Sequence, residues 1–407
     1  MQKSITAIPL MLIFIFFLLT EWRWEAMLLG MSDTRPSTLA AAVSVIVILL
    51  GMFTLKKQRI VFWIILLLIC YWISVSVLNI RSLASMLGYN FISEFGVWCI
   101  NLALFLTASN QNVWEYIYGH PKMLTTFYML FVLPLFFLLW YSGCAAESNF
   151  NLRNAIWISG MAENSPYGVS YQSFGDKLAF LSFVVLSLNL KRRYKIVVLI
   201  VSFISLYVVG SKASMVGFIF ACASCYVILL GLNRRYLKFA SITFVSICLL
   251  CGGLVYIIDN SSLQNSDNWL VGTLARGRND ISVSSRYSIE KENETTRSSR
   301  ILLGDYKFDN KLGRPGSYTH SAWGIVDYYG LPVFTITAGI WLYLLFKLLS
   351  IVRKTPIAKA ALMSMLFYTL LFTIARFPPV FYLTYWVLGM AVCAVHHKTC
   401  VWISNKL

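Results

Sequence analysis

Apolar residues run in long blocks along this chain, and short polar or basic segments separate the blocks. A helix that crosses a bilayer needs about 20 mostly apolar residues, because ~30 Å of hydrocarbon divided by ~1.5 Å of rise per residue gives that length. This window predicts twelve spans, near 4–20, 38–55, 60–79, 91–108, 123–143, 176–190, 195–210, 213–231, 237–258, 328–350, 358–376 and 379–396. The expected fold is an all-α integral membrane protein. It divides into 1–258 (nine spans and a loop at 144–175), a large polar loop at 259–327, and 328–407 (three spans and a short tail). The first block resembles the apolar core of a secretory signal, but Thr20-Glu21-Trp22-Arg23-Trp24 offers no small-residue cleavage site, so it reads as a retained helix.

Composition agrees with the pattern. Of 407 residues, 58% are hydrophobic and 13% charged, whereas charge is about 25% of an ordinary soluble domain. The formal net charge of +17 is largely topological. Lysine and arginine collect in alternate loops: Lys56, Lys57 and Arg59; Lys191, Arg192, Arg193 and Lys195; Arg234, Arg235 and Lys238; Arg353, Lys354 and Lys359. With twelve spans these loops share one side with both termini, and the bias marks that side as cytoplasmic. Loop 109–122 falls there too, although it contributes only Lys122. Loops 144–175 and 259–327 then lie outside the cytoplasm. A nucleic-acid partner is not expected, since no soluble domain carries a basic face.

Cys222/Cys225 and Cys248/Cys251 have CxxC spacing, but both pairs fall inside expected spans, where free cysteine behaves as a small buried hydrophobe. No acidic pair or His/Cys cluster at ligand spacing stands on an outer loop, and no GxxxxGK[ST] segment occurs. Neither a metal nor another cofactor is expected.

Three outer regions carry candidate chemistry. Loop 144–175 contains Arg153, Glu163, Tyr167, Tyr171 and Gln172, with Asp176 at the head of the next span. The tyrosines and the amide suit sugar stacking and hydrogen bonding, since an aromatic ring pairs a flat apolar face with a polar handle. Gly210-Ser211-Lys212-Ala213-Ser214 forms a sharp turn between spans. Lys212 there is expected either to face a cavity or to snorkel to the interface. The large loop holds Arg276, Arg278, Arg286, Arg297, Arg300 and Arg314, then Tyr318 and His320 just before span ten. Arg376 closes span eleven, where its planar fork suits bidentate phosphate contact. Arginines gathered around one histidine suit an anionic, lipid-linked substrate.

Order and sidedness of these segments resemble the O-antigen polymerase and ligase superfamily of bacterial inner-membrane glycosyltransferases. The resemblance rests on a late, large outer loop, on Gly210-Ser211-Lys212-Ala213-Ser214-Met215, on Ser285-Arg286 followed by Leu303-Gly304, and on Tyr318-Thr319-His320-Ser321 followed by Tyr329-Gly330-Leu331. It covers roughly 200–335 in detail and the rest by topology. Two positions depart from the family's pattern: Lys212 stands where arginine is usual, and Ser321 where ligases commonly have asparagine.

The resemblance implies transfer of a glycan from undecaprenyl diphosphate to a sugar hydroxyl at the periplasmic face of a multi-pass inner-membrane protein. On this reading Arg286 and Arg376 contact the diphosphate, with Lys212 and Arg300 in support. His320 takes the acceptor proton, its unperturbed pKa of ~6.5 suiting general-base work; Glu163 is a lesser candidate. Arg153, Tyr167, Tyr171, Gln172 and Tyr318 line the glycan. Expected partners are the lipid-linked oligosaccharide, membrane lipid and a chain-length-regulator protein. A polysaccharide polymerase with a lipid-linked repeat unit as acceptor is the expected activity; a ligase acting on lipid A–core and a flippase or transporter stay open as alternatives.

Overall fold

The computed structural model describes residues 60–87, 91–141, 171–231, 281–308, 321–374, 376–380 and 382–396, with isolated positions within 44–48 and 143–152. Among the described residues every regular element is helical. In chain order they are α1 (Ile60–Leu87), α2 (Phe91–Ser109), α3 (Gln111–Gly119), α4 (Pro121–Tyr141), α5 (Tyr171–Ser187), α6 (Arg192–Val209), α7 (Lys212–Gly231), α8 (Ile281–Arg297), α9 (Trp323–Tyr329), α10 (Leu331–Ile351), α11 (Pro356–Ile374) and α12 (Tyr382–His396).

This is a membrane protein by its helices: Ile60–Asn79, Lys212–Gly231, Leu331–Ile351 and Pro356–Thr373 are long and apolar enough to cross a bilayer. Apolar side chains surround these helices on all sides, as expected where backbone polar groups must pair internally and side chains meet either lipid or neighbouring helices. The spans expected at 4–20 and 237–258 lie outside the described residues, and of 38–55 only Ser44, Val45 and Ile48 are described, the three being helical.

Several boundaries differ from the expectation. Helix α1 runs on to Leu87, past the expected end at 79. The 109–122 segment contains helix α3, whose N-cap Asn110 accepts the Asn112 amide at 2.9 Å. Span ten, expected from 328, begins at Leu331 because Gly330 breaks the helical path and leaves α9 as a separate turn. The large loop is not wholly irregular: α8 occupies 281–297.

Buried aromatic and aliphatic side chains join the helices into one core. Phe131 on α4 stacks on Phe174 of α5 at 5.0 Å, and Phe183 of α5 stacks on Phe218 of α7 at 5.3 Å. Some of the buried polar groups pair across helices. Tyr128 and Ser202 hydroxyls meet at 2.7 Å, and the Trp341 indole donates to Thr369 at 2.9 Å. Such pairing is what keeps buried hydroxyls and indoles from costing roughly 1–3 kcal/mol each.

Contacts assign loops to ends. Arg353 donates to the Leu229 carbonyl at 2.7 Å, and Tyr118 meets Ser187 at 2.9 Å. These contacts gather the α3 end, the α5–α6 turn, the α7 end and the α10–α11 turn at one end. That end carries Lys191, Arg192, Arg193, Arg353 and Lys354. The heads of α5, α7 and α10, the end of α11 and segment 297–308 meet at the other.

Candidate functional site

Two arginine–aspartate centres occupy the end opposite that basic end. The first is built from three helices far apart in sequence. Arg376 follows α11, where its amide donates to the Leu371 carbonyl at 2.8 Å and so wraps the chain back over the helix end. Its guanidinium is fully buried. Nε donates to Asp176 Oδ2 at 2.9 Å, Nη2 to Asp176 Oδ1 at 3.2 Å, and Nη1 to Gln172 Oε1 at 3.1 Å.

Asp176 and Gln172 sit one turn apart on α5, so a single helix face presents both acceptors to one planar fork. Asp176 Oδ1 also accepts the Ser214 hydroxyl at 2.6 Å, and Ser214 lies 2.5 Å from the Ser211 hydroxyl. This close approach of α5 and the α7 head requires Gly175. A Cβ there would fall 2.6 Å from Ser211 Cβ and 2.8 Å from Ser214 Oγ, closer than side chains pack.

Lys212, half-buried at the first position of α7, stands beside this network. Lys177, next to Asp176, is buried as well. Two turns before Arg376 on α11, the buried Tyr368 hydroxyl has no hydrogen-bond partner among the described residues and lies in the electrostatic field of both Asp176 and Arg376.

The second centre joins the end of α8 to α9. Arg297 Nε donates to Asp327 Oδ1 at 3.0 Å and Nη2 to Oδ2 at 3.4 Å. Arg300 reaches the same carboxylate at 3.5 Å, donates to Thr296 Oγ1 at 3.0 Å and to the Asn293 carbonyl at 3.2 Å, and lies 3.9 Å over the Phe308 ring. Two guanidinium groups thus share one buried carboxylate. The Arg300 Nε, buried, has no hydrogen-bond partner among the described residues.

Backbone bonds lock the neighbourhood. Asp305 N donates to the Asp327 carbonyl and Leu331 N to the Ile301 carbonyl, each at 2.7 Å. Gly330, at φ +89°, lies against the Leu302 carbonyl where any Cβ would collide. The two centres belong to one surface, since Tyr328 packs against Phe377 at 5.0 Å and Ala322 N donates to the Phe372 carbonyl at 2.7 Å.

Of the sequence candidates, Arg376 and Gln172 are in direct contact, with Lys212 on the adjoining turn. Arg300 belongs to the second centre. Tyr171 is the first residue of α5, and Arg286 lies on α8. Arg153, Glu163, Tyr167, Tyr318 and His320 lie outside the described residues. Arg376, expected to contact a diphosphate, is buried here with Asp176 as a bidentate partner.

Sequence reading also passed over Asp176, Ser211, Ser214, Arg297 and Asp327 as site members. The available signal was the cost of burial. Asp176 and Asp327 each stand at the head of an apolar span, and a buried carboxylate demands a partner. Among the described residues no group of three or more His, Cys, Asp or Glu is placed to hold a metal ion. Comparison with known protein families finds no match, and no curated protein matches this chain.

Proposed function

We propose that this protein is a membrane glycosyltransferase that elongates a polysaccharide, O-antigen or capsular, on a polyprenyl diphosphate carrier. The carrying observation is the gathering, at the end opposite the lysine- and arginine-rich loops, of Lys212, Arg297, Arg300 and Arg376 with the sugar-suited Gln172. Under the positive-inside bias that end faces the periplasm. The reading includes twelve spans in a bacterial inner membrane, both termini in the cytoplasm, and loops 144–175 and 259–327 outside.

In this mechanism an acceptor sugar hydroxyl attacks the anomeric carbon of the donor glycan. The bond from that carbon to the diphosphate oxygen breaks, and the diphosphate departs with the bonding electrons. His320 receives the hydroxyl proton. Arg286, with Lys212, stabilises charge developing on the leaving diphosphate. Charge-assisted hydrogen bonds of roughly 1.5–3 kcal/mol each make two such donors a useful fraction of the barrier reduction. Arg376 acts through its neighbours: it fixes Gln172 and Asp176, and through Ser214 the turn that carries Lys212.

Deletion of the gene, followed by electrophoresis of surface polysaccharide, tests the assignment. Lipopolysaccharide or carrier bearing a single repeat is the expected result. Complete loss of attached repeats with free polymer retained would indicate a ligase instead. A transporter reading draws on one observation, the buried Asp176, Lys177 and Arg376 at helix ends, since ionisable groups in membrane helices mark translocation paths in pumps and carriers. Purified protein reconstituted with lipid-linked repeats separates the two: chain growth without another enzyme supports glycosyl transfer, and none supports transport.

A further inference from the structure

The turn that follows Arg300 exposes three consecutive apolar side chains. Ile301 is 41% exposed, Leu302 68% and Leu303 87%. In a turn surrounded by water such a run has no purpose, and the turn is too well tied down to be a loose connection. Gly304 N donates to the Arg300 carbonyl at 2.8 Å, Leu331 N to the Ile301 carbonyl at 2.7 Å, and Asp305 N to the Asp327 carbonyl at 2.7 Å. Gly304 and Gly330, at φ +69° and +89°, remove the two Cβ atoms that would push the turn off the α9–α10 junction.

The anchor point fixes the depth of the turn. Leu331 is the first residue of α10, and α10 is the candidate span with the smallest buried share, 17% of its window. Its exposed Leu331, Ile336, Leu342, Tyr343 and Phe346 face outward along its length. The 301–303 turn therefore continues the lipid-facing surface of α10 at the level where that helix leaves the hydrocarbon. Its surroundings have the composition of a membrane interface. Half-exposed Trp323 stacks on Phe334 at 5.2 Å, with Arg297 5.5 Å from its ring, and Lys307 stands at the far edge of the turn, 5.7 Å from the Tyr306 ring. Indoles at the headgroup level and cations reaching past them toward phosphate are the usual furniture of that boundary.

We propose that Ile301, Leu302 and Leu303 form an interfacial membrane anchor, which inserts into the bilayer leaflet at the head of α10 and holds the polar loop against the membrane surface. The occupant is the acyl region of the bilayer, and the Arg297/Arg300–Asp327 centre is the clamp that aims the turn into it. This assignment does not depend on glycosyl transfer. It stands on the exposure of the turn and its hydrogen bond to a spanning helix.

The test uses the full chain in phosphatidylethanolamine–phosphatidylglycerol proteoliposomes, with its nine native cysteines replaced by serine or alanine. A nitroxide is attached at Leu303→Cys, in a second protein at Leu302→Cys, and at Glu292→Cys as an exposed position on α8. Collision with oxygen, which concentrates in hydrocarbon, is compared with collision with a water-soluble nickel chelate. The expected result is oxygen exceeding the chelate at 302 and 303, with the reverse order at 292. Chelate access at 302 and 303 equal to that at 292 would place the turn in water. Protection from both reagents would mean that protein covers it. Either result overturns the anchor.

Discussion

Arg376 is where residue chemistry and fold stability meet most directly. A guanidinium removed wholly from solvent is tolerable because every face of its fork finds an acceptor in Asp176 or Gln172. Removing one member of such a pair costs about 3–5 kcal/mol, most of it from the charge left behind. Arg376→Ala and Asp176→Ala are each expected to lower thermal stability in detergent by that order, and the double variant by clearly less than their sum. Additive losses in a thermal-unfolding cycle would show that the pair is not coupled. Arg376→Lys should restore only part of the stability, since one ammonium cannot reach both oxygens and the amide together.

Arg286 and His320 belong to the same scale but to a different measurement. Arg286→Ala is expected to reduce polymer yield about 10²-fold if it contributes a transition-state contact of ~2.7 kcal/mol. His320→Ala should stop elongation and leave carrier binding intact. Near-normal polymer at normal expression in either variant would remove that residue from the proposed chemistry.

At the scale of elements, the decisive joint is the break between α9 and α10. Apolar periodicity runs through 328–350 with little interruption, so sequence reading extends one helix across it. The structure divides it at Gly330 because the chain must accept the Leu302 carbonyl at that point, and a left-handed φ without a Cβ meets the requirement. Gly330→Ala is expected to detach the 301–305 turn at a cost of about 1–3 kcal/mol in backbone strain and lost contacts. Hydrogen exchange should then quicken in 301–305 and 327–331 while α11 keeps its protection. Unchanged exchange in the turn would show that the glycine is not what holds it. Helix α8 offers a complementary case. Its sequence, with Glu290, Lys291, Glu292 and Glu294 on a polar segment, has no apolar stripe to announce a helix, and the helix is anchored at its C-terminal end through Arg297 and Arg300.

For the molecule as a whole, the testable proposal is sidedness, in which its two ends face different compartments. Glu292 and Lys354, both exposed, lie at opposite ends. In intact cells a membrane-impermeant maleimide is expected to label Glu292→Cys and to reach Lys354→Cys only after permeabilisation; labelling of both from outside would refute the arrangement. The amino-acid sequence by itself determined that this is a helical membrane protein and placed most described helices within a few residues. Twenty-residue apolar runs and clustered lysine and arginine are local, one-dimensional signals of partition between lipid and water. It also marked Arg376 and Lys212 as charges at span ends and Gln172 as a sugar-suited amide. Only the tertiary structure decided their relations. Arg376 meets an aspartate 200 positions earlier, and Arg297 and Arg300 share a carboxylate some 30 positions later. Such partnerships leave no periodic trace, because they follow from which helix ends pack together and from the necessity that a charge buried there finds its opposite.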